Sequence, residues 1–303
     1  MSSRHARGDR SFRAVCWNLD SRQDGLEERV RNLAEAFDGP DVVLLQEVSP
    51  GLAHLLDVEG VPGFAWCERS TGHLDASLGA RRLATAVLLS ERVLPAHGAP
   101  AAGQIPEQRF LERGAAAGLS EFEIRERMGW LPRNVYVDAE VDGVSIRVCS
   151  FHARPATGGR PGRPPAGYAR QLFHRVCAAW VAEQSGPVIF GVDANSPRVD
   201  HPDPQRWEPA LAGDATLIGP APEHHLRDAL HRWLDDHPDE LARIRAERPD
   251  GPLAISYRLP GGAPRRYDHL FVTDDIGVDD IRYRPPNRDG SDHGAIVADL
   301  HFG

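Results

Sequence analysis

At six places in the chain an Asn, Asp, Glu or His interrupts or immediately follows an apolar, strand-like run. Asn18 ends FRAVCWN, Glu47 sits within DVVLLQEV, and His152 follows SIRVCSF. Asp193 and Asn195 follow PVIFGV, Asp268 and His269 open the run before LFV, and Asp292 with His293 precedes GAIVADL. One acidic residue at a strand end is ordinarily a turn or a cap. Six such places are a different matter, because strand ends in an open α/β sheet converge on one crevice.

The residue types limit the chemistry. Carboxylates and amides with few thiols suit a hard divalent cation, Mg²⁺ or Mn²⁺, which takes oxygen ligands and keeps waters that a substrate phosphate can displace. Histidines beside them suit hydrogen bonding to phosphate or protonation near neutral pH. Together they fit metal-assisted displacement at phosphorus, with a carboxylate orienting or deprotonating water and donors stabilising the extra charge of the transition state. No covalent nucleophile is required, and there is no G-x-S-x-G elbow. The chain also has no lysine, so all 35 Lys+Arg residues are arginines. That excludes Schiff-base chemistry and a P-loop lysine.

The elements that must position these side chains alternate between strand and helix. Phe12 to Asn18 reads as a strand. Asp24 to Phe37 reads as a helix with Leu26, Val30, Leu33 and Phe37 on one face. Asp41 to Val48 has the continuous apolar character of a strand buried on both faces. Further strands are expected at 84–89, 135–141, 145–151, 187–192, 267–272 and 295–300, with a hairpin across Asp142-Gly143. Helices are expected at 167–184, 227–234 and 239–247, with a charged, helix-like excursion over 104–128. The pattern is that of an α/β protein with a mixed sheet. Residues 197–222 read as a long irregular excursion. The segment 154–170 carries four arginines, no acid, and too much Gly and Pro for regular structure, and reads as a loop able to contact anions.

With their residues in this order, the motifs AVCWNLD, LLQEV, SFHARP, GVDANS, RRYDHLFV and SDHGAIV resemble those of the endonuclease/exonuclease/phosphatase superfamily, which shares the pancreatic-deoxyribonuclease-like fold. The resemblance runs from Phe12 to the C-terminus. It implies a four-layer α/β/β/α sandwich with two packed mixed β-sheets, residues 11–303 forming a single domain behind a flexible tail, 1–10. It assigns Glu47 as the principal Mg²⁺ ligand, with Mn²⁺ as a substitute, and puts Asn18 and Asp292 in the metal shell. Asp193 would orient or activate water, Asn195 would contact the scissile phosphate, and His293 would bind that phosphate while held by Asp268. His152 would serve the leaving oxygen, with Glu68 as the best match to its carboxylate partner, and Arg133 would contact phosphate. Arg154, Arg160, Arg163 and Arg170 would line the substrate path. The D-x-N motif departs from many relatives in lacking a glycine directly before Asp193, Gly191 lying one residue earlier.

The resemblance implies chemistry more firmly than substrate. The leading expectation is a Mg²⁺-dependent phosphodiester hydrolase acting on DNA or RNA. A phosphatase for a small phosphorylated metabolite is the alternative, and a catalytically silent binding module the second. A net charge of -9 argues against extensive nonspecific DNA binding through a basic face. No apolar run approaches the roughly 20 residues of a membrane span, so no membrane partner is expected and a cytoplasmic location is. Cys16 and Cys149 are expected to be buried thiols, and His224, His225 and His231 to lie on a solvated face.

Overall fold

The computed structural model describes residues 10–303 except 53, 71–82, 96, 123, 125–132, 154–165, 197–199 and 207–211. In chain order the first half runs β1 (Ser11–Asn18), α1 (Leu26–Arg31), α2 (Leu33–Ala36), β2 (Val42–Val48), β3 (Trp66–Arg69), β4 (Ala84–Leu89), β5 (Ala101–Gly103), α3 (Glu107–Ala116), β6 (Asn134–Val141) and β7 (Val144–His152). It continues with α4 (Ala166–Ala182), β8 (Val188–Asp193), α5 (Ala212–Ile218), β9 (Arg227–Asp228), α6 (Ala229–Asp236) and α7 (Pro238–Glu247). The last elements are β10 (Tyr257–Arg258), β11 (Pro264–Arg265), β12 (Asp268–Val272), β13 (Ile276–Tyr283) and β14 (Ile296–Phe302).

Two six-stranded mixed sheets result, ordered β13-β14-β1-β2-β4-β3 and β5-β6-β7-β8-β12-β9. The alternation of side chains along each strand explains why they pack face to face. On β1, Phe12, Ala14 and Cys16 point at the second sheet, where they join Val42 and Leu44 of β2 and meet Val148, Ile189 and Leu270. Val15 and Trp17 point the other way, into a layer built from Leu33, Phe37, Leu52 and Leu55. The outer face of the second sheet packs Phe151 and Phe190 against Phe173 and Trp180 of α4. These are the four layers expected, and burying each Leu or Phe between them contributes about 1.5–3 kcal/mol. Among the described residues no helix is long and apolar enough to cross a membrane.

The expected helix over 24–37 is shorter and divided. Gly25 adopts a left-handed conformation immediately before Leu26, and Asn32 leaves helical geometry between α1 and α2. Gly191 on β8 faces the other sheet at its closest approach. A Cβ there would lie 2.5 Å from Leu44 Cδ1 and 2.8 Å from Cys16 Sγ, so only glycine lets the sheets meet behind Asp193.

Candidate active site

The register of the second sheet gathers three of the expected residues in one row. His152 ends β7 and pairs with Asp193 at the end of parallel β8, while Asp268 opens antiparallel β12 and pairs with Asp193 from the other side. All three follow the inward-facing phase of their strands, as Val148, Ile189 and Leu270 do. Asn18, at the end of β1, reaches this row from the opposite sheet and donates from Nδ2 to Asp193 Oδ2 at 2.7 Å. Its own Oδ1 accepts from the backbone N–H of Asp20 at 3.0 Å, so both ends of the Asn18 amide are engaged.

Asp193 is fully buried and accepts two more hydrogen bonds, from the N–H of Asn195 at 2.8 Å and from Asn195 Nδ2 at 2.9 Å. Burial first and the Asp268 charge second push its carboxyl up to about 8, against the pull of His293 and these donors. A buried carboxylate brought into the neutral range is suited to general-base work. Asn195 Nδ2 also donates to the carbonyl of Ala153 at 2.9 Å, so in this structure Asn195 holds Asp193 in place.

His293 presents Nδ1 to Asp268 Oδ2 at 2.8 Å. Burial works against charge on the ring, but Asp268 and Asp193 outweigh it and raise His293 to about 10, which makes it an imidazolium at neutral pH. His152 is the opposite case. Complete burial, then the Arg133 guanidinium, hold it well below the usual histidine range. Arg133 Nη1 lies 3.2 Å from His152 Nδ1 and 3.4 Å from Nε2, while Nε2 stands 3.5 Å from Asp193 Oδ2 and 3.8 Å from Glu47 Oε1, carboxylate oxygens that favour a proton on that nitrogen. One histidine is therefore charged and the other neutral.

Glu47 reaches this cluster through a backbone irregularity. Alternation along β2 sends Gln46 inward with Val42 and Leu44, and Gln46 Nε2 donates to Ser150 Oγ of the other sheet at 3.0 Å. Glu47 would then point outward, but the pairing slips between Leu45 and Val48 so that two residues oppose one on β4, and Glu47 takes φ +54°. Such a bulge re-aims a side chain. Glu47 Oε2 accepts from the N–H and the hydroxyl of Ser21, each at 3.2 Å.

Asp292 faces the same side and is 3.9 Å from His293 Nε2. Its Oδ1 is buried without a partner among the described residues, and burial raises its carboxyl above the usual range. Arg22 joins it to Asp20, with Nη2 at 2.7 Å from Asp292 Oδ2 and Nε at 2.7 Å from Asp20 Oδ1. An orphaned carboxylate oxygen among all-oxygen acidic groups fits a hard divalent cation. The other close acidic group, Asp193, Asp268 and His293, also has ligand atoms within 4.8 Å of one another. Its imidazole nitrogen is already held by Asp268 and the group is wholly buried, so the Glu47 and Asp292 side is the more accessible place for an ion.

Several expectations need correction. Arg170 is not open to a substrate: it is buried, bidentate to Asp214 at 3.2 Å, and donates to the Asn195 carbonyl at 2.9 Å, so it anchors the D-x-N loop from behind. Arg154, Arg160 and Arg163 lie outside the described residues. Glu68 sits on β3, where its charged neighbours are Asp57 and Arg69, while His152 is surrounded by Glu47, Asp193 and Arg133. His224 is buried and bonded to the Leu217 carbonyl at 2.8 Å. The sequence reading passed over Asp20, Arg22 and Tyr257. Asp20 lay within the quoted AVCWNLD. Tyr257 stacks on Tyr267 at 5.1 Å and lies 4.9 Å from the His293 ring, and nothing in its local sequence marks it out.

No family model and no curated protein matches the sequence. Solved structures do resemble it. D. rerio TDP2 complexed with single strand DNA product is 16% identical, with 96% of this chain and 99% of that chain covered and a TM-score of 0.58. An endonuclease/exonuclease/phosphatase protein from Beutenbergia cavernae DSM 12333 is 19% identical, with 97% and 72% covered and a TM-score of 0.58. The AP endonuclease LMAP from Leishmania major is 15% identical, with 97% and 89% covered and a TM-score of 0.55. The chain thus has the endonuclease/exonuclease/phosphatase fold that its motifs led us to expect.

Proposed function

We propose that this protein is a divalent-metal-dependent phosphodiesterase that hydrolyses nucleic acid, using Mg²⁺ with Mn²⁺ as a substitute. The observation that carries this reading is the row His152, Asp193 and Asp268, with His293 bonded to Asp268, beside the partly exposed carboxylates Glu47 and Asp292. A charged imidazolium, a neutral N–H donor, a carboxyl group titrating in the neutral range and carboxylate oxygens meet at one edge of the sandwich. Likeness in fold to a TDP2 complexed with single strand DNA product supports nucleic acid over a small metabolite as the substrate.

Glu47 and Asp292 would hold the cation, which when bound neutralises phosphate charge and polarises the phosphorus centre. Asp193, fixed by Asn18 and Asn195, takes the proton of the attacking water. His293 donates from Nε2 to a phosphate oxygen, its charge maintained by Asp268. His152 donates from Nε2 to the oxygen that leaves, with Arg133 keeping its ring neutral and oriented. Tyr257 and Tyr267 form an aromatic face next to His293 against which a base or sugar can rest.

The purified protein, incubated with Mg²⁺ and single- and double-stranded DNA and RNA, is expected to cut at least one of them. Asp193→Asn should abolish the cut. Hydrolysis of small phosphomonoesters with no cleavage of any polymer would replace this reading with the metabolite phosphatase.

A further inference from the structure

A cavity of about 440 Å³ lies away from the catalytic row, between the outer face of β12 and helices α6 and α7. Asp268 and His269 are successive on β12 and point to opposite faces, Asp268 to His293 and His269 into this cavity, with its ring parallel to Phe271. On the charged floor both acids have cationic or imidazole neighbours, His231 Nε2 standing 3.6 Å from Asp200 beside Arg266. Arg266 bonds Asp200 at 2.7 Å and both oxygens of Asp228 at 2.7 Å, so both acids are engaged in ion pairs.

Two of the lining histidines each carry a buried ring nitrogen without a hydrogen-bond partner among the described residues. His269 Nδ1 donates to Asp228 Oδ2 at 3.2 Å, and its buried Nε2, left as an acceptor, has no partner among the described residues. His201 Nδ1 accepts from the N–H of Asp203 at 2.8 Å, which puts its proton on Nε2. That buried N–H has no hydrogen-bond partner among the described residues either, its closest acidic group being Asp250 at 4.0 Å. At the mouth, Arg245 bonds the Pro202 carbonyl at 3.3 Å and has no carboxylate partner among the described residues.

The geometry points to a second binding site for a nucleoside monophosphate. An acceptor and a donor beside the Phe271 ring match the edge of a nucleobase, Arg245, with no carboxylate partner among the described residues, matches a phosphate, and the volume suits a ligand of that size. The choice of a nucleotide, as distinct from another planar anion, rests on the nuclease reading, since nucleic acid is built of this unit and its stepwise hydrolysis releases it. The site lies through the sheet from the catalytic row, so product held here reports on turnover without blocking it.

Calorimetric titration of the full chain with adenosine and uridine 5′-monophosphates, in chelator, tests the site. Binding of at least one is expected. It should weaken at least tenfold in Arg245→Glu and in His269→Phe, vanish in Leu241→Trp, and persist in His293→Ala. Should His269→Phe not fold, the two variants at the mouth and wall still decide the matter. Absence of binding by either nucleotide, or binding lost in His293→Ala but kept in Arg245→Glu, overturns the proposal. Nucleic-acid cleavage without nucleotide binding refutes this site alone. Nucleotide binding with the expected variant pattern but no cleavage supports the site and refutes the nuclease reading alone.

Discussion

The Arg22 guanidinium bridges Asp20 and Asp292, at 2.7 Å from each, on the side of the site where Glu47 also lies. Arg22 is half-exposed, so the bridge is open to solvent and can be exchanged for another cation. It supplies positive charge to carboxylates that would otherwise repel one another. A divalent ion at Asp292 must compete with it. Arg22→Ala is therefore expected to bind Mg²⁺ several-fold more tightly by calorimetry. Weaker binding would show that Arg22 shapes the site for the ion instead of competing with it.

Asp268 maintains the charge on His293 through their 2.8 Å contact. In Asp268→Asn the His293 ring should titrate well below about 10, in a metal-free NMR titration of its ring protons. The sign for stability follows from linkage: a histidine raised in the folded state adds stability that is present below its ordinary value of 6.5 and is lost as pH rises through about 10. Asp268→Asn should flatten that alkaline loss. An unchanged His293 titration would remove Asp268 from the role.

Glu47 has φ +54°, a conformation that costs a non-glycine residue about 1 kcal/mol. Glu47→Gly should relieve it and leave the protein as stable or more stable, by up to about 1 kcal/mol in denaturant unfolding. The same variant should lose at least tenfold in Mg²⁺ affinity. Retained affinity would contradict the assignment of Glu47 to the ion.

Far from the reacting groups, burial would raise Asp200, but Arg266 at 2.7 Å and His231 at 3.6 Å together bring it down to about 2. A carboxyl lowered in the folded state adds stability that is present above its ordinary 3.8 and is lost as pH falls towards about 2. That lowering corresponds to roughly 2 kcal/mol. Asp200→Asn should lose about that much at pH 7 and show a shallower acid limb in thermal unfolding. A variant as stable as the parent at pH 7 would refute the coupling.

The site was more legible in the sequence than its supports were. Asn18, His152, Asp193 and Asp268 could be read because each ends or opens a strand whose apolar run is unmistakable, and the sheet then brings the strand ends together. The bulge at Glu47 could not be read, because QEV continues the run without a turn residue. Arg170 misled because its loop composition suggests exposure, whereas its partner Asp214 lies 44 residues away. β3 and β13 were missed for a related reason. They are edge strands whose partly exposed, charged sequences, WCER and IGVDDIRY, lack the alternation that marks a half-buried strand.

The central claim is that Asp193 activates water for phosphodiester hydrolysis between a charged and a neutral histidine. The most direct measurement is single-turnover cleavage of an end-labelled single-stranded DNA by wild type and Asp193→Asn with saturating Mg²⁺. The account predicts cleavage by wild type and a loss of at least about 1,000-fold in rate for the variant, with DNA affinity unchanged. Cleavage by Asp193→Asn within tenfold of wild type would contradict it.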